Sequence, residues 1–463
     1  MIKLSPADNA FLQVERPQTP MHVGGLTIHT ISKNVNKAEF MNRVVNEFGQ
    51  VLAQVPAFRS RLEYSSLLKL DVPVLTPDPH FDLSYHVRPM AVPAPCEIDQ
   101  VMDYVARVHG LLMDRARPLW ELHVIEGIKG RRFGLYLKVH HSIMDGISAI
   151  NLMKQYFSND PDDTKLKQPA AKKKKKRNAN KAAGNLLEKG MGLVAKGQKE
   201  VSKAVDLAGM FTHIGKELIR SEKVVPPWYS PQKSPLNVEL TGRRNVAVTS
   251  FSLSGFKELG KTRKATINDV ILAVSAGALR RFLKEKGSLP KKAMVANIPV
   301  YIKPADGVEQ VGNAISSINC SLGTHIDDPV KRLEHIRNST FEGKSQLMAM
   351  SKDAIDTYNL MMAGPFIAAQ LLNITPKIRV PFNILVSNVP TSHDKLYLMG
   401  AEMESLYGLN LIFQMQALNV TVTTYCDSAD FTLMACRKTM PDLDIIIRYL
   451  QDAYAELRAA LLG

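Results

Sequence analysis

Apolar and polar positions along this chain alternate with a period of two in some stretches and of three to four in others. The stretch "MHVGGLTIHT" has the two-residue period of a strand. "KAEFMNRVVNEFGQVLAQV" sets Phe40, Val44, Phe48 and Leu52 four residues apart, one stripe of a helix. "LWELHVIEGIKGRRFGLYLKVHH" predicts two strands joined by a turn at Gly127–Gly130. Helical spacing returns in "ISAINLMKQYF" through Ile147, Ile150 and Phe157. Strand-like and helix-like segments therefore alternate to about residue 160. Regular structure resumes near residue 245 with the strand "NVAVTSFSL" and the helix "INDVILAVSAGALRRFLKE", capped near Thr266. Further strands follow at "AMVANIPVYI", "AISSINCSL", "FNILVSNV" and "ALNVTVTTY", and a last helix runs from about Leu443 to the end. The pattern predicts an α/β (α+β) fold in two domains, residues 1–160 and 245–463, joined by a long crossover, residues 161–244.

The crossover changes the picture by its charge. Within "AAKKKKKRNANK", Lys172 to Lys176 and Arg177 put six positive charges in a row, in a stretch almost free of large apolar side chains. The whole chain, 463 residues with a formal net charge of +15, stays basic without them. Anionic partners are implied: nucleic acid, a phospholipid surface, or a phosphorylated substrate such as coenzyme A. Nucleic acid is not expected, because the chain holds no nucleic-acid-binding motif and the basic run lacks interleaved aromatics. Past the run, Leu187, Met191, Val194, Val201, Val205 and Ala208 make an apolar stripe opposite Lys189, Lys196 and Lys203. Such a stripe fits a helix covering the junction of two domains, or a basic amphipathic helix on anionic lipid.

Four cysteines, Cys96, Cys320, Cys426 and Cys436, show no CxxC pair, which fits a reducing compartment. The N-terminus has no apolar core of a signal peptide, and the longest apolar stretch, residues 360–372, is shorter than the roughly 18 residues of a spanning helix. A cytoplasmic protein is expected, with any contact to the inner membrane or to lipid inclusions confined to its surface.

Candidate chemistry concentrates in "LYLKVHHSIMDGIS". On an extended strand His140 and His141 point to opposite faces, so they cannot chelate one metal, and no further ligand cluster is visible. His141 ends the face of Phe133, Leu135, Leu137 and Val139, where an imidazole serves as a hydrogen-bonded core residue or as a base. Asp145 and Gly146 shortly after it are types that fix a turn: a carboxylate through a backbone or arginine contact, a glycine through positive φ or close approach. A turn so fixed holds an imidazole in one tautomer, with one ring nitrogen free to take a proton.

His141-Ser142-Ile143-Met144-Asp145-Gly146 matches the HxxxDG signature of coenzyme-A-dependent acyltransferases, the chloramphenicol acetyltransferase-like superfamily. The doubled form, beginning at His140, resembles the bacterial wax ester synthase/acyl-CoA:diacylglycerol acyltransferase family. The blocks "LSPADNAFLQVE", "PMHVGGL", "RPLWELHVIEG", "INDVILA", "SNVP" and "ALNVTV" follow in family order, so the resemblance covers nearly the whole chain. The chain departs from the family at "SNVPTSHDKL", where many relatives continue with Gly-Pro, and at "TTYCDSADF", where glycine is usual after the tyrosine.

The resemblance implies two chloramphenicol acetyltransferase-like domains with mixed sheets and a channel between them. It implies that His141 is the general base, taking the proton from an alcohol whose oxygen attacks the thioester of a long-chain acyl-CoA, in a ternary complex without an acyl-enzyme. The acceptor is then a fatty alcohol or diacylglycerol, acyl-CoA is a substrate, and neither cofactor nor metal is called for. Asp145 is expected to be structural and paired with an arginine, His140 to shape the pocket or position the acceptor, and Gly146 to complete the motif. Asn268 is the candidate oxyanion donor; the alternative is that Asn268 and Asp269 merely cap their helix. Pro118, Leu119 and Trp120 of "RPLW", after Arg117, are assigned to packing. The competing functions are a superfamily acyltransferase with another acceptor and a non-catalytic lipid-body protein.

Overall fold

A computed structural model describes residues 2–65, 72–167, 234–301, 315–350, 352–377 and 380–463. The lysine run and the stripe from Leu187 to Ala208 lie outside these residues. Strand β1 (Ile2–Lys3) precedes helix α1 (Pro6–Val14), which starts where proline and a Ser5–Asp8 capping box favour it. β2 (His22–Thr30) follows. The stripe of Phe40, Val44, Phe48 and Leu52 is buried on one continuous helical segment: α2 (Lys37–Arg43), a π turn (Val44–Phe48) and α3 (Gly49–Leu52). β3 (Ser60–Glu63) and β4 (Val74–Pro77) form a small sheet with β1. Then come α4 (Leu83–His86), β5 (Val87–Cys96), α5 (Ile98–His109), β6 (Trp120–Ile128), β7 (Arg132–His140) and α6 (Gly146–Lys154). β6 and β7 are the expected hairpin. Its Gly127 holds φ at 94°, and a Cβ there would lie 2.2 Å from the Val92 carbonyl oxygen.

The second half supplies β8 (Arg244–Ser252), α7 (Leu253–Thr262), α8 (Ile267–Glu285), β9 (Val295–Tyr301), β10 (Ile315–Ser321), α9 (Pro329–Ala349) and α10 (Lys352–Leu371). β11 (Ile384–Ser392), β12 (Tyr397–Leu398), β13 (Ala401–Leu409), β14 (Leu418–Tyr425), β15 (Ser428–Cys436) and α11 (Asp444–Leu462) complete it. Two six-stranded mixed sheets result, in the orders β12-β13-β2-β7-β6-β5 and β10-β9-β11-β14-β15-β8. β5–β6, β9–β11 and β11–β14 are parallel pairs, the rest antiparallel.

These orders correct the expected division of the chain. The second domain does not run unbroken from 245 to 463, because β12 and β13 leave it and extend the first sheet, with β13 against β2 from Glu402↔Thr30 to Leu409↔Gly24. The second face of β7 is also buried. Phe133, Leu135, Leu137 and Val139 belong to one core, while Tyr136, Lys138 and His140 on the other face are fully enclosed beneath α5. There α5 packs onto β8, so that Val105 and Tyr136 share a core with Val246, Met434 and Cys436 of the second sheet. The strand that ends at the histidine pair is thus clamped at the junction of the two sheets.

Candidate active site

The main chains of both histidines carry the ladders of β7 one residue beyond the ends of β6 and β2. His140 N–H donates to the Leu119 carbonyl at 3.0 Å and His141 N–H to the Met21 carbonyl at 2.8 Å. The chain then turns, with Ile143 N–H on the His140 carbonyl at 2.9 Å, and Asp145 starts α6 by accepting the Ser148 N–H at 2.7 Å. Asp145 is a helix cap; among the described residues no arginine pairs with it, so the expected arginine contact is corrected. Gly146, the first residue of α6, has no positive φ, and a Cβ there would meet nothing within 4 Å. Neither expected reason for glycine applies; open space lies beside it instead.

The His141 ring stacks on Phe11 of α1, centroids 4.0 Å apart and planes at 21°. Its Nδ1 is sealed from solvent and has no hydrogen-bond partner among the described residues. Burial pushes the pKa down to about 4, against the opposing pull of Asp145 and of the residue's own carbonyl. The ring is therefore neutral near pH 7, with one ring nitrogen carrying a lone pair able to take a proton.

His140 is 0% exposed. Its Nδ1 accepts the Ser142 N–H at 3.1 Å and lies 2.7 Å from Ser142 Oγ, which places its proton on Nε2, 3.3 Å from Glu15 Oε1. Fully enclosed, His140 meets Ser142 and Glu15 rather than solvent. Glu15 was not foreseen. Its carboxylate is buried between His22 Nε2 (3.3 Å), the Met21 N–H (3.0 Å) and Arg115 Nη2 (2.9 Å). Burial would raise its pKa, but His140 and His22 outweigh that and hold it well below the usual carboxylate range. One anion thus braces both histidines, His140 directly and His141 through Met21. The signal was present: "AFLQVE" ends an apolar helix on a single carboxylate. Below it Lys138, fully buried, donates to the carbonyls of Val108 and Leu111 and closes the C-terminus of α5. Burial lowers its pKa to about 8.

Asn268 and Asp269 differ in what they bond at the start of α8. Thr266 caps α8, and Asp269 completes the capping box, with Oδ2 2.8 Å from the Thr266 N–H and Oδ1 2.6 Å from Thr340 Oγ1. Asn268 takes no part, and its amide nitrogen is buried without a partner. Trp120 donates to the Phe58 carbonyl at 2.8 Å and stacks between Phe58 and His86. Leu119 is core, and the chain of Pro118–Leu119 supplies the carbonyl that anchors His140. Arg117 lies over Tyr85 at 4.0 Å. Among the described residues no group of three or more metal-ligand side chains gathers.

Two mixed sheets with a buried histidine at the end of a central strand define the chloramphenicol acetyltransferase-like class. The starter condensation domain of rhizomide synthetase, solved in complex with C8-CoA, superposes with a TM-score of 0.57 over 99% of this chain and 95% of that one at 14% identity, a likeness of fold alone. The wax ester synthase/diacylglycerol acyltransferase from Marinobacter aquaeolei VT8 superposes with a TM-score of 0.75 at 31% identity, covering 99% of both chains. The family described as the wax ester synthase/diacylglycerol acyltransferase catalytic domain matches residues 4–271, and its C-terminal domain matches residues 311–458. An O-acyltransferase WSD of Acinetobacter baylyi is 34% identical over 98% of this chain and 96% of its own length. A putative diacylglycerol O-acyltransferase of Mycobacterium tuberculosis is 32% identical over 99% and 100%. The chain belongs to the wax ester synthase/diacylglycerol acyltransferase family.

Proposed function

We propose that the protein is an O-acyltransferase that moves a long-chain fatty acyl group from acyl-CoA to a fatty alcohol or to diacylglycerol. The observation that carries this reading is His141, a buried, neutral imidazole stacked on Phe11 at a helix-capped turn with open space beside Gly146. Nε2 takes the acceptor's hydroxyl proton as the oxygen attacks the thioester carbon. The carbonyl oxygen becomes an oxyanion, for which the unpartnered Asn268 amide is a suitable donor. Collapse breaks the C–S bond, and the imidazolium returns its proton to the leaving thiolate, giving ester and free coenzyme A. No acyl-enzyme forms, and the reaction needs no cofactor or metal.

Contact with lipid is part of the proposal. Among the described residues no helix is long and apolar enough to cross a membrane. Leu371, Leu372 and Ile374 are nevertheless exposed where α10 ends, next to the exposed Lys377, which suits shallow contact with an anionic lipid surface. The test is thiol release from palmitoyl-CoA with hexadecanol or diacylglycerol as acceptor. Release stimulated by the acceptor and abolished in His141→Ala is expected; release that His141→Ala leaves intact would remove the mechanism. Leu372→Asp is expected to weaken sedimentation with anionic vesicles.

A further inference from the structure

Phe11 is the ring closest to the chemistry, and packing alone does not account for its placement. It sits on α1, partly buried against Val14, Met21 and Leu411 with Ile367 and Phe413 beside it. Any branched aliphatic side chain would fill that cluster. What an aliphatic chain would not supply is a π face laid 4.0 Å from the His141 ring at 21°.

The face matters because of what happens to His141 during turnover. The ring starts neutral and becomes an imidazolium as it takes the hydroxyl proton. Its surroundings make that charge expensive: burial disfavours it, and the neighbouring His140 disfavours it further. Asp145 favours it, but its Oδ1 is committed to the Ser148 N–H, and Asp145 itself faces Asp8 of α1. Glu15 is spent on His140, His22 and Arg115. Among the described residues no carboxylate lies within ion-pair distance of His141. Beside Asp145 and the residue's own carbonyl, the negative face of the Phe11 ring, stacked 4.0 Å away, is a further group that prefers the charged imidazole to the neutral one.

We propose that Phe11 is a positioning residue for the general base, holding the plane of the His141 ring and stabilising the imidazolium formed in the transition state. This rests on the reading of His141 as base. The same α1 carries Phe11 and leads into Glu15, so one short helix and its exit orient both histidines, one by stacking and the other by charge.

The test replaces Phe11 by leucine, and separately by a series of increasingly fluorinated phenylalanines that keep its shape while draining the π face of negative charge. kcat, KM and the pH dependence of kcat/KM are measured with palmitoyl-CoA and hexadecanol, and thermal melts confirm folding. Phe11→Leu is expected to lower kcat roughly 2- to 30-fold with little change in KM, and to move the acid limb to lower pH. The fluorinated series is expected to fall stepwise in kcat. A series flat within twofold, with an unmoved acid limb, would overturn the proposal. His141→Ala run in parallel separates the two ideas: if it retains turnover, the base assignment fails whatever Phe11 does.

Discussion

Asn268→Ala and Asp269→Ala, neighbours on one helical turn, are expected to fail in opposite ways. The Asn268 amide nitrogen has no hydrogen-bond partner among the described residues, so removing it is expected to leave stability within about 0.5 kcal/mol. If it holds the oxyanion, turnover falls by about 10²–10³, or 2.7–4 kcal/mol of transition-state stabilisation. Asp269 is 2% exposed and bonds Thr266 and Thr340. Its loss removes a cap worth about 1 kcal/mol and a buried hydrogen bond worth about 1–3 kcal/mol, with the Thr340 hydroxyl left on the Arg337 carbonyl, so Asp269→Ala is expected to destabilise by roughly 2–4 kcal/mol. The assay pairs initial rates of thiol release at saturating palmitoyl-CoA with thermal unfolding of the same samples. An Asn268→Ala enzyme that melts normally and turns over normally refutes the oxyanion role. One that loses both activity and stability refutes the claim that the amide is structurally idle.

Four further outcomes follow from the geometry. Because the His141 pKa is lowered to about 4 and the active base is unprotonated, kcat/KM should stay level from pH 8 down to about 5 and fall below that; an acid limb centred at 6–7 would contradict the burial argument. The same shift makes stability fullest above the ordinary histidine pKa near 6.5 and diminishing as pH falls toward 4, since the unfolded chain binds the proton more readily. Glu15→Gln should cost roughly 2–4 kcal/mol of stability and lower turnover without changing acceptor preference, read from melts and an acceptor panel. Cys426→Gly should stabilise the protein by roughly 0.5–1 kcal/mol, seen as a higher Tm, because Cys426 holds a left-handed φ of 51°.

That last residue shows what a sequence discloses and what it withholds. The departure from glycine after Tyr425 was visible in "TTYCDSADF", but its meaning, a side chain kept at positive φ in the β14–β15 turn, needed the backbone. Strongly periodic elements were legible: the 267–285 helix with its Thr266 cap, the hairpin at Gly127 and the stripe through Phe40. β13 was not, since "AEMESLYGL" mixes polar and apolar residues and its partner β2 lies far back in the chain. At the site, the motif drew attention to His141, yet the partners that define its state, Phe11 and Glu15, come from a helix about 130 residues earlier. Periodicity reports which face of an element is apolar; it does not report which distant carboxylate meets which imidazole.

The loan of β13 to the first sheet has a consequence for how this enzyme is made. β2 borders β7 on one side and β13 on the other, so a ribosome that has finished the histidine motif has still to synthesise more than 250 residues before β2 gains its outer neighbour. Until Ala401–Leu409 emerges, the nascent chain presents an open strand edge. A product cut short anywhere between Gly146 and that point keeps every residue of the HHxxxDG signature and still lacks the strand that closes the sheet behind it.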